Sequence, residues 1–261
     1  MSNRFDGKTV LITGGASGLG LSSALQMAME GANLALVDLS MAALEAARST
    51  ILASCPDVRV LLVAADVSDE DAVKSFVQRT VQEYGVIHGF FNNAGIEGKQ
   101  NVTADYESEM FHKVIDVNLN GVFYGMKHVL QVMKNQGHGS IVNTASVGGM
   151  RGIGNQSGYA ASKAGVIGMT RNSGVEYGQY GISIKAIAPG AIMTPMVEGS
   201  LKQIDPEGWE AVGKQFVSLN PMKRFGKPEE VAYLVAFLLS SQADFINAVV
   251  IPIDGGQSYK Y

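Results

Sequence analysis

The chain has 261 residues, 46% of them hydrophobic and 31 of them glycine, with a net charge of −4 from 20 basic and 24 acidic side chains. That length sustains one large core, and charges of both signs with no block of either offer nothing to a phosphate backbone or an anionic surface. Nucleic acid and membrane partners are not expected, and the longest apolar runs fall far short of a bilayer span.

The polar start, Met1 to Lys8, runs straight into a strand pattern, so neither a signal nor a transit peptide is expected. A single cysteine, Cys55, leaves no internal disulfide or cysteine metal site, which fits a reducing, cytoplasmic setting. The histidines His88, His112, His128 and His138 follow no ligand spacing, so no side-chain metal site is expected, while a structural cation held by C-terminal carbonyls stays open.

Residues 8–13 form a short apolar run before a glycine-rich turn, the pattern of a strand buried on both faces and expected at the centre of a sheet. The turn is Gly14-Gly15-Ala16-Ser17-Gly18-Leu19-Gly20, and helix-forming residues follow. Its glycines allow a tight turn, close approach of backbone to a ligand, and packing of helix on strand. The helix N-terminus then offers unpaired N–H groups to a pyrophosphate, with Gly14, Ser17, Gly18, Leu19 and Gly20 as candidate contacts. The next strand, 33–37, ends at Asp38. A carboxylate there accepts hydrogen bonds from both adenine-ribose hydroxyls and repels a 2′-phosphate, which predicts NAD(H) as cofactor; the structural alternative is a cap for the helix from Met41.

A third strand, 58–64, leads to Asp66 and Val67, where adenine would lie, and Ser68 or Asp69 can cap the helix that runs to about Tyr84. The fourth, 87–91, closes on Asn92-Asn93-Ala94-Gly95, small residues that let a cofactor pass close to the backbone; Asn92 reads as a structural and cofactor-wall residue. A long helix from about 104 to 136 follows, and Asn118 in its interior predicts a bend, because its amide competes for backbone bonds. Strand 138–145 ends at Ser146, and a glycine-rich loop leads to a helix that continues to about Tyr180 and carries Tyr159 and Lys163. Four residues apart on a helix, these two present a phenol and an ammonium to one volume. A nearby cation favours phenolate, so Lys163 is expected to lower the Tyr159 pKa from its usual value of about 10.

Strand 182–188 stops at Pro189-Gly190, and from 191 to about 225 the pattern turns irregular, with Met193, Met196, Trp209 and Met222 among polar residues. Apolar side chains on such an insertion suggest a lid over a hydrophobic substrate. Pro228 opens a last helix before strand 248–253. Seven strands alternating with helices, without linker or repeat, predict one α/β domain over 1–261: a Rossmann fold, doubly wound, with a parallel seven-stranded sheet and helices on both faces.

Taken together, Thr13-Gly14-x-x-x-Gly18-x-Gly20, Asn92 to Gly95, Asn118, Ser146, Tyr159-x-x-x-Lys163, and Pro189-Gly190 followed by Thr194 resemble the short-chain dehydrogenase/reductase family over essentially the whole chain. The resemblance implies that Tyr159 is the acid in ketone reduction and the base in alcohol oxidation, that Ser146 holds the substrate oxygen, and that Lys163 binds the nicotinamide ribose and lowers the Tyr159 pKa. It implies that Asn118 holds a water linking Lys163 to solvent, that Thr194 and the backbone at Ile192 fix the carboxamide, and that the pro-S hydride is transferred. Asn93, Ala94, Gly95, Pro189 and Gly190 complete the expected cofactor wall. The expected substrate pocket is Ser146, Val147, Gly148, Met150, Met193, Met196 and Trp209. Stretches 89–101, 143–159 and 188–198 are similar to a family member that reduces a substituted cyclohexanedione, so a small apolar, cyclic ketone or alcohol is the expected substrate. The resemblance also implies a homotetramer of D2 symmetry. The competing readings are a 3-oxoacyl-type reductase of the same fold, which normally takes NADP, and a non-catalytic NAD(H)-sensing protein, which needs no proton donor.

Overall fold

The structure, a computed structural model, describes residues 3–259. Its strands are β1 (Thr9–Thr13), β2 (Asn33–Asp38), β3 (Val60–Ala64), β4 (Gly89–Asn92), β5 (Gly139–Thr144), β6 (Ile182–Pro189) and β7 (Val249–Ile253). The helices are α1 (Gly18–Met29), α2 (Met41–Ser54), α3 (Glu70–Tyr84), α4 (Ser108–Ile115), α5 (Gly121–Gln136), α6 (Ser157–Tyr177), α7 (Pro195–Ile204), α8 (Trp209–Ser218) and α9 (Pro228–Leu239). Strand residues alternate between faces, so Val10, Ile12, Leu34 and Leu36 enter a core shared with α1, α2 and α9. Leu11, Ala35 and Val37 enter the opposite core, filled by Phe76 and Val77 of α3 and Met126, Val129 and Met133 of α5. Helices thus cover both faces of the sheet, as apolar runs without polar alternation require.

The sheet runs β3-β2-β1-β4-β5-β6-β7 with every pairing parallel. The expected doubly wound Rossmann architecture is present, with one correction: β4 occupies the middle and β1 is third. Two strands are laid outward from β1 on one side and four on the other, so the strand before the glycine turn sits at the reversal of winding and not at the sheet's midpoint. Buried Lys185 on β6 donates to the hydroxyls of Ser140 at 3.0 Å and Ser183 at 2.5 Å and to the Leu238 carbonyl at 3.0 Å, tying β5 and β6 to the last turn of α9.

Two further elements differ from expectation. The long helix is divided: a 3₁₀ turn (Thr103–Asp105), α4, a π turn (Asp116–Asn120) and α5. Asn118 explains the break, because its amide oxygen accepts the Ile96 N–H at 2.8 Å while its nitrogen donates to the Ile96 carbonyl at 2.7 Å. The side chain thereby pairs with the loop after β4 from inside the helix, and the widened turn accommodates it. The supposedly irregular lid holds two helices, the first opened by Thr194, whose hydroxyl accepts from the Val197 N–H, and by Pro195 at its first position. No helix among the described residues is long and apolar enough to cross a membrane.

Candidate active site

Where β1 and β4 lie side by side, the chain leaves the sheet in opposite directions and the loops at their carboxyl ends part. They leave a cleft of about 540 Å³. Gly14, Ser17, Gly18 and Leu19 form one wall. Ser17 precedes α1 in an extended conformation and makes no side-chain bond to the helix, which leaves first-turn N–H groups for an anion. Gly20 is not on the wall: a Cβ there would stand 1.9 Å from the Gly14 carbonyl oxygen, so this glycine serves the packing of helix on turn.

Asp38 lines the same cleft at the end of β2. Its Oδ2 accepts from the Ala16 N–H at 3.0 Å and its Oδ1 from the Leu39 N–H at 2.8 Å. It does not cap α2; Ser40 does, through the Ala43 N–H. Each carboxylate oxygen has a second lone pair, so both remain acceptors for a diol. Asp66 and Val67 lie along the wall with Asn93, Ala94 and Gly95. Asn93 is braced by Thr13, whose hydroxyl accepts its backbone N–H at 3.0 Å, and by the Thr144 hydroxyl, which donates to its Oδ1 at 3.2 Å. Asn92 is a correction: it is buried, donates to the Val122 carbonyl and forms no part of the wall.

Ser146, Tyr159 and Lys163 converge at the other end of the cleft. The strand end supplies the first and one turn of α6 supplies the other two. Ser146 Oγ accepts from the Gly148 N–H at 3.0 Å and faces the Tyr159 phenol. Lys163 is only 3% exposed; its Nζ donates to the Thr144 carbonyl at 2.8 Å and lies 5.6 Å from the centre of the Tyr159 ring. Asn118 is its neighbour across Gly95, where an added Cβ would meet Asn118 Oδ1 at 3.1 Å and Lys163 Nζ at 3.4 Å. Asn118 itself is fully buried and off the cleft wall, with its amide engaged by Ile96 and Ser162.

The electrostatics revise one expectation. Burial pushes the Tyr159 phenol above its usual pKa, against a hydrogen bond from Ser146, and the carboxyl of Glu97 pushes the same way. Burial also pulls the Lys163 ammonium down to about 8. The dominant influence on both is desolvation, which favours the neutral forms, and not a lowering of the phenol by its lysine.

Of the remaining predicted residues, Pro189, Gly190, Ile192, Thr194 and Met196 line the cleft, whereas Val147, Gly148, Met150, Met193 and Trp209 do not. Val147 is buried and Gly148 lies behind the Tyr159 ring, where a Cβ would sit 3.5 Å from Cε1. Met150 is exposed at the end of the 3₁₀ turn. The Met193 backbone is bonded to the Gly226 carbonyl, and Trp209 stacks under Lys202 of α7. The cleft adds Ile96, Lys113, Val117, Thr144, Pro195 and Val197. A helical phase would have found two of these, since Lys113 and Val117 stand four apart on the face that precedes Asn118.

The family described as enoyl-(acyl carrier protein) reductase matches residues 14–258. Levodione reductase of Leifsonia aquatica is 57% identical over 260 residues, covering 100% of this chain and 97% of the relative. A crystal structure of levodione reductase, also 57% identical, superposes with a TM-score of 0.97 over 98% of this chain and 100% of that one. Cyclohexanol dehydrogenase of Acinetobacter sp. (strain SE19) is 39% identical over 100% of this chain and 98% of its own. An NAD⁺-bound xylitol dehydrogenase structure has a TM-score of 0.92 at 34% identity, over 97% of this chain and 99% of that one. With this degree of identity running from end to end, and the same sheet beneath it, the chain belongs to the short-chain dehydrogenase/reductase family of oxidoreductases.

Proposed function

We propose that the protein is an NAD(H)-dependent carbonyl reductase and secondary-alcohol dehydrogenase for a small, apolar, cyclic ketone. The observation that carries this reading is the phenol of Tyr159 beside the Ser146 hydroxyl and the Lys163 ammonium, at one end of a cleft whose other end presents Asp38. When bound, NADH supplies a hydride to the carbonyl carbon. Ser146 accepts from the Gly148 N–H, so its own hydrogen would turn from the Tyr159 phenol to the substrate oxygen when a ketone binds. Tyr159 gives that oxygen a proton as it becomes an alkoxide, and Lys163 steadies the phenolate left behind. Asn118 holds the π turn in place next to Lys163, and a backbone carbonyl of that turn holds the water through which the proton is replaced.

The residues fit the unphosphorylated cofactor. The free lone pairs of Asp38 suit the two adenine-ribose hydroxyls, and a 2′-phosphate would meet the carboxylate. Thr194 and Ile192, both on the cleft wall, would fix the carboxamide, and Lys163 would hold the second ribose. Ile96, Met196 and Val197 give the cleft apolar side chains suited to a hydrocarbon ring. Levodione reductase and cyclohexanol dehydrogenase, two of the relatives, support that choice. In this reading the enzyme works in the cytoplasm as a homotetramer.

The test is NADH consumption with a panel of cyclohexanones and cyclohexanediones. Turnover is expected, and Tyr159→Phe should lower it by about 10²–10⁴-fold with NADH binding unchanged, because only the transferable proton is removed. Tight NADH binding without turnover of any ketone would instead favour the sensing protein, and turnover confined to 3-oxoacyl thioesters would favour the acyl-linked reductase.

A further inference from the structure

We propose that Glu97 is a positioning residue for the substrate: its carboxylate is the hub of a clasp that fixes α7 against the start of α6, and so sets the wall formed by Met196 and Val197. This rests on the reading of the cleft given above, but the clasp itself is visible without it. Three donors from three segments converge on one oxygen, Glu97 Oε1. The Ser200 hydroxyl of α7 donates at 2.8 Å, the amide of Gln156, the residue just before α6, donates to the same atom, and the Gln100 amide makes a longer contact at 3.5 Å. Gln100 doubles the link through its bond to Ser200 Oγ at 2.7 Å. One turn further along α7, Gln203 accepts the Gln100 backbone N–H at 3.2 Å and donates to the Gly98 carbonyl at 3.2 Å.

The helix geometry connects this clasp to the substrate wall. Ser200 stands three residues after Val197 and four after Met196, so the clasped residue and the two wall residues share one side of α7. A small rotation of α7 on the loop therefore moves Met196 and Val197 together. The loop is in turn a fixed platform: Gly98 has φ +82°, and a Cβ there would stand 2.7 Å from Val114 Cγ2, so the chain is pressed onto α4 at that point. A carboxylate suits the hub because its oxygen gathers several donors that a neutral acceptor holds less strongly. Burial raises the Glu97 pKa and the Ser200 bond lowers it, as expected for a half-buried carboxyl held by hydroxyl and amide donors.

A double-mutant cycle tests the inference. Glu97→Ala should raise the ketone KM about tenfold, the equivalent of one or two lost hydrogen bonds, with a smaller change in kcat. Ser200→Ala should raise it less, and the double variant should fall clearly short of the sum of the two effects, because both remove the Ser200–Glu97 contact. Glu97→Gln keeps an acceptor oxygen and should restore most of the affinity. Hydrogen exchange of the amides in 195–204 should be faster in Glu97→Ala than in the wild type. An unchanged ketone KM in Glu97→Ala, or fully additive effects of the two substitutions, would overturn the role. If the wild type turned over no ketone, the proposed function would fail, and unchanged exchange in 195–204 would separately overturn the clasp.

Discussion

Burial acts on Tyr159 and Lys163 in opposite senses, and the pH dependence of the two reaction directions follows from that. Reduction starts from the protonated phenol and the cationic lysine. With Tyr159 pushed up and Lys163 at about 8, both conditions hold at neutral pH. As pH rises through about 8, Lys163 loses its proton, and with it the charge that steadies the phenolate. Ketone reduction should therefore be flat below about pH 7 and fall above about pH 8, while alcohol oxidation, which begins from the deprotonated phenol, should still be climbing above about pH 8 because burial raises that phenol. Profiles of kcat/KM in both directions check this; reduction still flat at about pH 10 would contradict it. Asp38 gives a second prediction at the same scale. Replacing it with Ser, together with Leu39→Arg at the exposed neighbouring position, removes a charge that opposes a 2′-phosphate and adds one that attracts it. The ratio of kcat/KM for NADH over NADPH should fall by at least about tenfold, measured with one ketone.

At the scale of elements, legibility depended on whether a signal was local. The strands are short apolar runs closed by glycine or small polar residues, and their ends fell within two residues of expectation, as at residue 58 against Val60 and residue 87 against Gly89. The glycine turn, Asp38, Ser146 and the Tyr159–Lys163 pair were readable because each is a residue type with a spacing tied to an element's end. Asn118 announced a break in the long helix but not its kind, since the π turn depends on Ile96, which is 22 residues away. The lid read as irregular because Pro195, Gly199, Gly208 and Gly213 interrupt the periodicity of α7 and α8. Which of its apolar residues face the cleft is a matter of helical phase, and without the helices Met193 and Trp209 could not be separated from Met196. The clasp around Glu97 joins residues 59 and 103 positions apart, and nothing in the local composition announces it.

The whole molecule carries an imbalance that one chain leaves unresolved. β7 is an edge strand with a single neighbour, and its five residues, Val-Val-Ile-Pro-Ile, are all only partly buried. Pro252 blunts backbone pairing along this edge, but the partly exposed apolar side chains of the strand still suit burial against another chain. Beside it, Tyr233 on α9 is 58% exposed and Phe245 wholly so. A second apolar face lies on α5 and α6, where Phe123 and Val175 are exposed and an added Cβ on Gly168 would meet nothing. Exposed apolar patches of this kind suit interfaces, and in the proposed homotetramer each of the two faces would meet its own copy across a two-fold axis. Light scattering should accordingly give a mass of four copies of the 27.6 kDa chain. Tyr233→Glu with Phe245→Glu charges only the first face, so it should leave dimers joined through α5 and α6; Phe123→Glu with Val175→Glu should leave dimers joined through β7. A monomeric wild type at micromolar concentration, or either pair of substitutions leaving the tetramer intact, would remove the corresponding face from the assembly.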